Sequence, residues 1–170
     1  MFIITKILAG LVLLTQICGV GLLLSLLHSR ARKIIVSFFE RWAILLAFCV
    51  ALVATSGSLF FSTIVGYAPC ELCWFQRIFM YPLVVLFGIA LYKKREEIVD
   101  YTLLLAIIGL LISAYHNYIV FVASQAMSCG AGVSCITKYF VEFGYITIPM
   151  MALTAFGAII FLLIIKKINV

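Results

Sequence analysis

The sequence predicts an all-α integral membrane fold with five transmembrane helices, and three observations carry that prediction. The 170 residues are 66% hydrophobic and 11% charged, with a mean hydropathy of +1.29, far from the composition of a soluble domain. Five stretches are long enough to cross a hydrocarbon core of about 30 Å, which takes about 20 residues as a helix. The charges fall in short groups between those stretches. A net charge of +6 invites a nucleic-acid reading. The basic residues form no groove-like cluster with interleaved aromatics, however, so nucleic acid is set aside as a partner and membrane lipid takes its place.

Taken in order, the stretches are Phe2–Leu27, Trp42–Tyr67, Trp74–Tyr92, Ile98–Ser124 and Tyr145–Ile165. The first has the position of a signal peptide, but its apolar run is too long and no small-residue cleavage site follows it. It reads as an uncleaved span with its N-terminus outside. Pro82 and Pro149 fall inside the third and fifth stretches, where they are expected to kink the helices. Cys18 and Cys49 lie within apolar runs and read as buried, inert thiols.

Alternation fixes the topology. The segment His28–Arg41, the run Lys93–Glu97 and the C-terminus must share one side, and they hold nine of the twelve Lys and Arg residues. The opposite side has only Lys6, Arg77 and Lys138. By the positive-inside rule the first side is cytoplasmic. Two cysteine pairs, Cys70-Glu-Leu-Cys73 and Cys129-Gly-Ala-Gly-Val-Ser-Cys135, then face outward, where disulfides form and persist.

The two pairs have different surroundings. Pro69 suits a helix start, which puts Cys73 in the first turn of the third span, where the helix dipole favours a thiolate. The blander reading of a lone C-x-x-C is a static staple or half of a zinc site. Arg77 follows Cys73 by four residues, one turn deeper on the same face. It either snorkels to the headgroups or stabilises a Cys73 thiolate and an anionic acceptor, and a quinone fits that acceptor. The five residues between Cys129 and Cys135 include Gly130 and Gly132, which let a small ring close as an easily reduced disulfide. A zinc site would need all four cysteines at tetrahedral geometry, and no metal is expected. His116, near the outer end of the fourth span, is either a belt residue with Tyr115, Asn117 and Tyr118 or a hydrogen-bond partner to a quinone carbonyl or a proton carrier. The mildly amphipathic segment Ile136–Phe143, with Lys138 and Glu142, is expected to lie in the membrane interface.

Pro69-Cys70-Glu71-Leu72-Cys73-Trp74-Phe75-Gln76-Arg77 with Met80-Tyr81-Pro82, and later Gly144-Tyr145-Ile146-Thr147-Ile148-Pro149, resemble the disulfide bond formation protein B (DsbB) family, in particular its Gram-positive-type BdbC members. The resemblance runs from about Trp42 to Lys166. It implies a four-helix transmembrane bundle with one extra N-terminal transmembrane helix. Residues 1–41 then form the extra helix with a basic cytoplasmic loop, and residues 42–170 the redox bundle. It further implies a bacterial inner-membrane enzyme that reoxidises an extracytoplasmic thioredoxin-like thiol oxidase (DsbA/BdbD-like) and passes electrons to menaquinone or ubiquinone.

Carried onto matching positions, the resemblance gives Cys129 as the point of attack by the partner. Cys135 then attacks Cys70, and Cys73 is left as the thiolate held by Arg77 in charge-transfer contact with the quinone, with His116 nearby. Two departures stand out: the extra first span, and a second pair separated by only five residues. A vitamin K epoxide reductase-like bundle is the nearest alternative enzyme, but its quinone-side pair follows the loop pair in the chain instead of preceding it. A membrane scaffold with structural disulfides or zinc is the non-catalytic alternative.

Overall fold

A computed structural model describes residues 2–26, 29–94, 97–122 and 134–168. Among the described residues there are five α-helices: α1 (Phe2–Leu26), α2 (Ser29–Leu59), α3 (Glu71–Lys93), α4 (Ile98–Phe121) and α5 (Ile148–Ile168). All five are long and apolar enough to cross a membrane. In hydrocarbon every backbone polar group must bond within the protein, and a helix does this within one segment.

Helices α2, α3, α4 and α5 pack in a ring, each against its two neighbours, and α1 lies outside against α2 and α5. This is the expected four-helix bundle with one extra helix. Lipid offers hydrocarbon as good as the protein's own, so close packing requires small residues where helices meet. Ala43, Ala47 and Ala51 recur every four residues along α2 and are fully buried, against a core that includes Leu83, Phe87, Ala106, Phe156 and Ile159. Gly109 on α4 is required for the same reason: a Cβ there would lie 2.3 Å from the Phe156 ring. At the end of the bundle opposite the cysteines, Lys167 donates to Asp100 at 2.6 Å and ties α5 to α4.

Several expected boundaries move. From Ser29 onward the basic segment expected as a loop is helical, because α2 begins at Ser29 and is continuous through Arg41; its Arg, Lys and Glu residues are good helix formers. At its other end α2 widens into a π turn, Phe60–Ile64, and the chain leaves the helix before Tyr67. Helix α5 starts at Ile148 and not at Tyr145. Phe143 (φ 51°) and Gly144 (φ 82°) make a left-handed turn, closed by a bridge between Glu142 and Ile146. Pro149 therefore sits in the first turn of α5, where its missing N–H costs nothing, and produces no mid-helix kink. Pro82 does lie inside α3. Cys18 and Cys49 are exposed and are not core thiols.

Candidate active site

The chain reaches the first cysteine pair through an irregular segment, 65–70, that follows the π turn at the end of α2. Pro69 stands one residue before the N-cap of α3, which is Cys70 in extended conformation (φ −73°, ψ 172°). Cys73 is the third helical residue, so the C-x-x-C spacing brings both sulfurs to the same turn. They lie 3.3 Å apart as free thiols within hydrogen-bonding reach. Cys70 is buried, at 6% exposure. Its thiol is held far below its ordinary 9.0, at about 4. The hydrogen bond from Cys73 is the main cause; burial opposes it, and a hydrogen bond from His116 assists. A reduced pair thus shares one proton and carries its charge on Cys70, the sulfur with the most donors around it.

His116 is the centre of the arrangement. It is 2% exposed, so it is not a belt residue; Tyr115 and Tyr118 on the same helix are exposed and occupy that position. The Gln76 amide nitrogen donates to His116 Nδ1 at 3.1 Å. That places the imidazole proton on Nε2, which faces Cys70 Sγ at 3.8 Å and the Cys135 carbonyl at 3.2 Å. One ring nitrogen therefore touches both cysteine-bearing segments. Cys135 is disulfide-bonded and 2% exposed. Cys129, with Gly130 and Gly132, lies outside the described residues.

Segment 136–143 follows Cys135 as turns and extended chain, and aromatic packing fixes it over the cysteine-bearing end of the bundle. Tyr139 stacks on Tyr67 with centroids 4.4 Å apart and donates to the Ala68 carbonyl at 2.8 Å. Phe140 packs on Phe61 at 5.4 Å, and the Lys138 ammonium sits 5.0 Å from the Phe121 ring.

Arg77 does not snorkel. Its Nε donates to Ser58 Oγ and its Nη2 to the Ser58 carbonyl, both at 2.9 Å, and the guanidinium lies 5.2 Å from the Trp74 ring. The π turn just beyond Ser58 interrupts the α-helical ladder there, and such turns are common at functional sites. Cys70, Cys73, Gln76, Arg77, His116 and Cys135 all line one cavity of about 320 Å3. The remaining wall is largely hydrocarbon, including Val50, Val53, Met80 and Met151. Two of its hydroxyls, those of Tyr81 and Thr147, are buried without a hydrogen-bond partner among the described residues.

The expected residues Cys70, Cys73, Arg77, His116 and Cys135 are thus brought together. Sequence reasoning missed Gln76, which orients His116, and Ser58, which anchors Arg77. Both are polar residues inside apolar spans, and that was the available signal. The sulfurs of Cys70 and Cys73 and a ring nitrogen of His116 lie within 4.8 Å of one another, close enough to share a soft cation such as Zn2+.

A bundle of membrane-spanning helices with two cysteine-bearing segments meeting on one buried histidine defines a class: a multi-pass membrane protein for thiol–disulfide chemistry. Comparison with known proteins gives the family. Residues 40–166 match the family described as disulfide bond formation protein DsbB, and the chain belongs to it. A disulfide bond formation protein C of Bacillus subtilis is 47% identical over 120 residues, 69% of this chain and 87% of that protein. A probable disulfide formation protein C of Bacillus cereus is 46% identical over 120 residues, covering 69% and 86%. A probable disulfide formation protein of Chlamydia pneumoniae is 38% identical over 132 residues, covering 78% and 96%. No solved structure matches.

Proposed function

We propose that this chain is a bacterial inner-membrane thiol:quinone oxidoreductase that reoxidises an extracytoplasmic thioredoxin-like thiol oxidase, with both cysteine pairs on the outer face. The observation that carries this reading is the convergence of Cys70 Sγ and the Cys135 carbonyl on the same His116 nitrogen, above a cavity that also contains Cys73 and Arg77.

The electron route is a series of exchanges in which each disulfide broken is matched by one formed. A thiolate of the reduced partner attacks Cys129 of a Cys129–Cys135 disulfide, and Cys135 leaves as a thiolate. The partner's second thiol then attacks the mixed disulfide, so the partner departs oxidised and the loop pair is reduced. Cys135 next attacks Cys70 of a Cys70–Cys73 disulfide and releases Cys73. While Cys70 is tied up in that bond, the negative charge rests on Cys73, one turn from the Arg77 guanidinium. Cys129 finally attacks Cys135, which restores the loop disulfide and leaves Cys70 and Cys73 reduced.

Quinone, when bound, supplies the sink for the two electrons and two protons this pair then holds. The residues present fit it. A flat apolar ring with carbonyl oxygens suits a hydrocarbon cavity of about 320 Å3, a size within reach of small-molecule sites. Its oxygens would find Arg77 and the unpartnered hydroxyls of Tyr81 and Thr147. Thr147 directly precedes Ile148, the first residue of α5, and its buried hydroxyl has no partner among the described residues, which leaves it available to a ligand oxygen. The family match and the order of the pairs both favour this route over one like that of vitamin K epoxide reductase.

The test uses purified full-length protein and a reduced thioredoxin-like oxidase. Addition of quinone should drive loss of free thiols from the partner, and Cys73→Ser should abolish that loss. Full activity in Cys73→Ser would overturn the route, and quinone-independent behaviour of the native chain would favour a scaffold.

A further inference from the structure

Helix α1 has no place in the chemistry above, and it lies outside the family match, which begins at Glu40. A relative from Bacillus anthracis aligned over 96% of its own length covers only 78% of this chain. That leaves the relative no room for a counterpart of a helix of 25 residues. The bundle core does not need α1 either: only 6% of its membrane-spanning window is buried, and Ile7, Leu14 and Ile17 point away from the protein.

Its inner face is placed with more purpose. Leu8 lies against α2 at Gly57, where a Cβ would stand 3.5 Å from its Cδ1, and Gly57 adjoins Ser58, the anchor of Arg77. Eight residues further, about 12 Å along the helix, Gln16 donates to Thr154 Oγ1 of α5 at 2.9 Å and accepts from the Tyr145 hydroxyl. The stretch between these two anchors bridges α2 and α5. Its Leu8, Leu11, Val12 and Thr15 line the same cavity as Cys73 and Arg77. Hydrocarbon contact alone holds a helix in lipid only weakly, and the Gln16 hydrogen bonds add a polar fastening to α5 and Tyr145.

We propose that α1 is the lipid-side wall of the acceptor pocket, and that Val12 and its neighbours set the affinity for an apolar two-electron acceptor. This rests on the quinone reading. An open groove between α2 and α5 would be filled by acyl chains, which vastly outnumber the acceptor in a membrane; a wall of fixed shape excludes them. Hydrocarbon side chains make the same contacts before and during electron transfer. Their effect therefore falls on binding and KM and leaves kcat alone.

The experiment uses full-length protein in lipid nanodiscs, equilibrium binding of a labelled short-tailed naphthoquinone, and steady-state turnover. Val12→Phe, which fills the cavity, should raise Kd and KM at least tenfold with kcat within twofold. Gln16→Leu, which removes the fastening, should raise both severalfold. Leu14→Phe, on the lipid-facing side of the same helix, should match the native chain. Retained thiol exchange with the partner shows that the variants are folded. Native binding in Val12→Phe, or equal loss in Leu14→Phe, overturns the assignment while leaving the quinone reading intact. Failure of the native chain to bind the naphthoquinone overturns both.

Discussion

The unequal sharing of charge between Cys70 and Cys73 can be read directly by titrating the reduced protein. A thiolate absorbs near 240 nm and a thiol does not, so the difference between reduced and oxidised protein follows the charge. Cys70, lowered from 9.0 to about 4, should give a step centred near pH 4: protonated and transparent below it, ionised and nucleophilic above. At neutral pH the pair is then already charged. Replacing His116 by Phe removes one donor. Hydrogen bonds to charged groups contribute about 1.5–3 kcal/mol, and the contact of 3.8 Å belongs at the weak end. At about 1.4 kcal/mol per pH unit, the step should rise by about one unit, to about pH 5.

Cys73→Ala removes the largest cause of the lowered value and should move the step further than His116→Phe. Burial, which resists ionisation, is then left less opposed. Cys70→Ser should abolish the step. A midpoint near 9 in the native protein, survival of the low step in Cys70→Ser, or a larger displacement in His116→Phe than in Cys73→Ala would refute the reasoning.

Three other outcomes follow from the geometry. Arg77→Ala should raise the apparent KM for quinone about tenfold or more while partner thiol exchange with the loop pair stays within twofold; Ser58→Ala, which only loosens the guanidinium, should give a smaller rise. Zn2+ added to the reduced protein should inhibit turnover reversibly through Cys70, Cys73 and His116, whereas a chelator added to the protein as purified should leave turnover unchanged; loss of activity on chelation would point to a resident metal. Gly109→Ala forces a methyl to within 2.3–2.8 Å of the Phe156 ring and should destabilise the bundle by about 1–3 kcal/mol, read as a lowered Tm, with Gly88→Ala as a milder control whose nearest contact is 3.7 Å.

The spans were legible because the bilayer imposes a length and a composition on any crossing segment, and Cys70, Cys73 and Arg77 because helical spacing alone aligns them. Element ends were less so. Tyr145 looked like the start of the last span since it is aromatic and followed by apolar residues. The left-handed turn at Phe143–Gly144 and the bridge from Glu142 to Ile146 instead hold it outside the helix. The π turn after Leu59 has no pattern of its own in Phe60–Ile64. His116 had two readings from sequence because position along a span gives depth but not rotation. Only the packing of α4 against α3 decides that it faces Gln76 and Cys70 instead of lipid.

The polar residues inside the spans connect these levels. Gln16, Ser58, Gln76, Arg77 and His116 each sit in an otherwise apolar helix, where an unpaired polar group is costly. Sequence identifies them as needing partners but cannot name the partner, because the matching group is on another helix. In the structure the pairs are Gln16 with Thr154, Ser58 with Arg77, and Gln76 with His116. Each bond joins neighbouring helices, and each has at least one member, Thr154 in the case of Gln16, that lines the same cavity. The polar contacts that fasten helices together on that side of the bundle are thus also the ones that orient His116, restrain Arg77 and close the lipid-side wall. A substitution at any of them should therefore change the redox site before it unfolds the bundle, whose close-packed alanines Ala43, Ala47 and Ala51 lie outside the cavity lining.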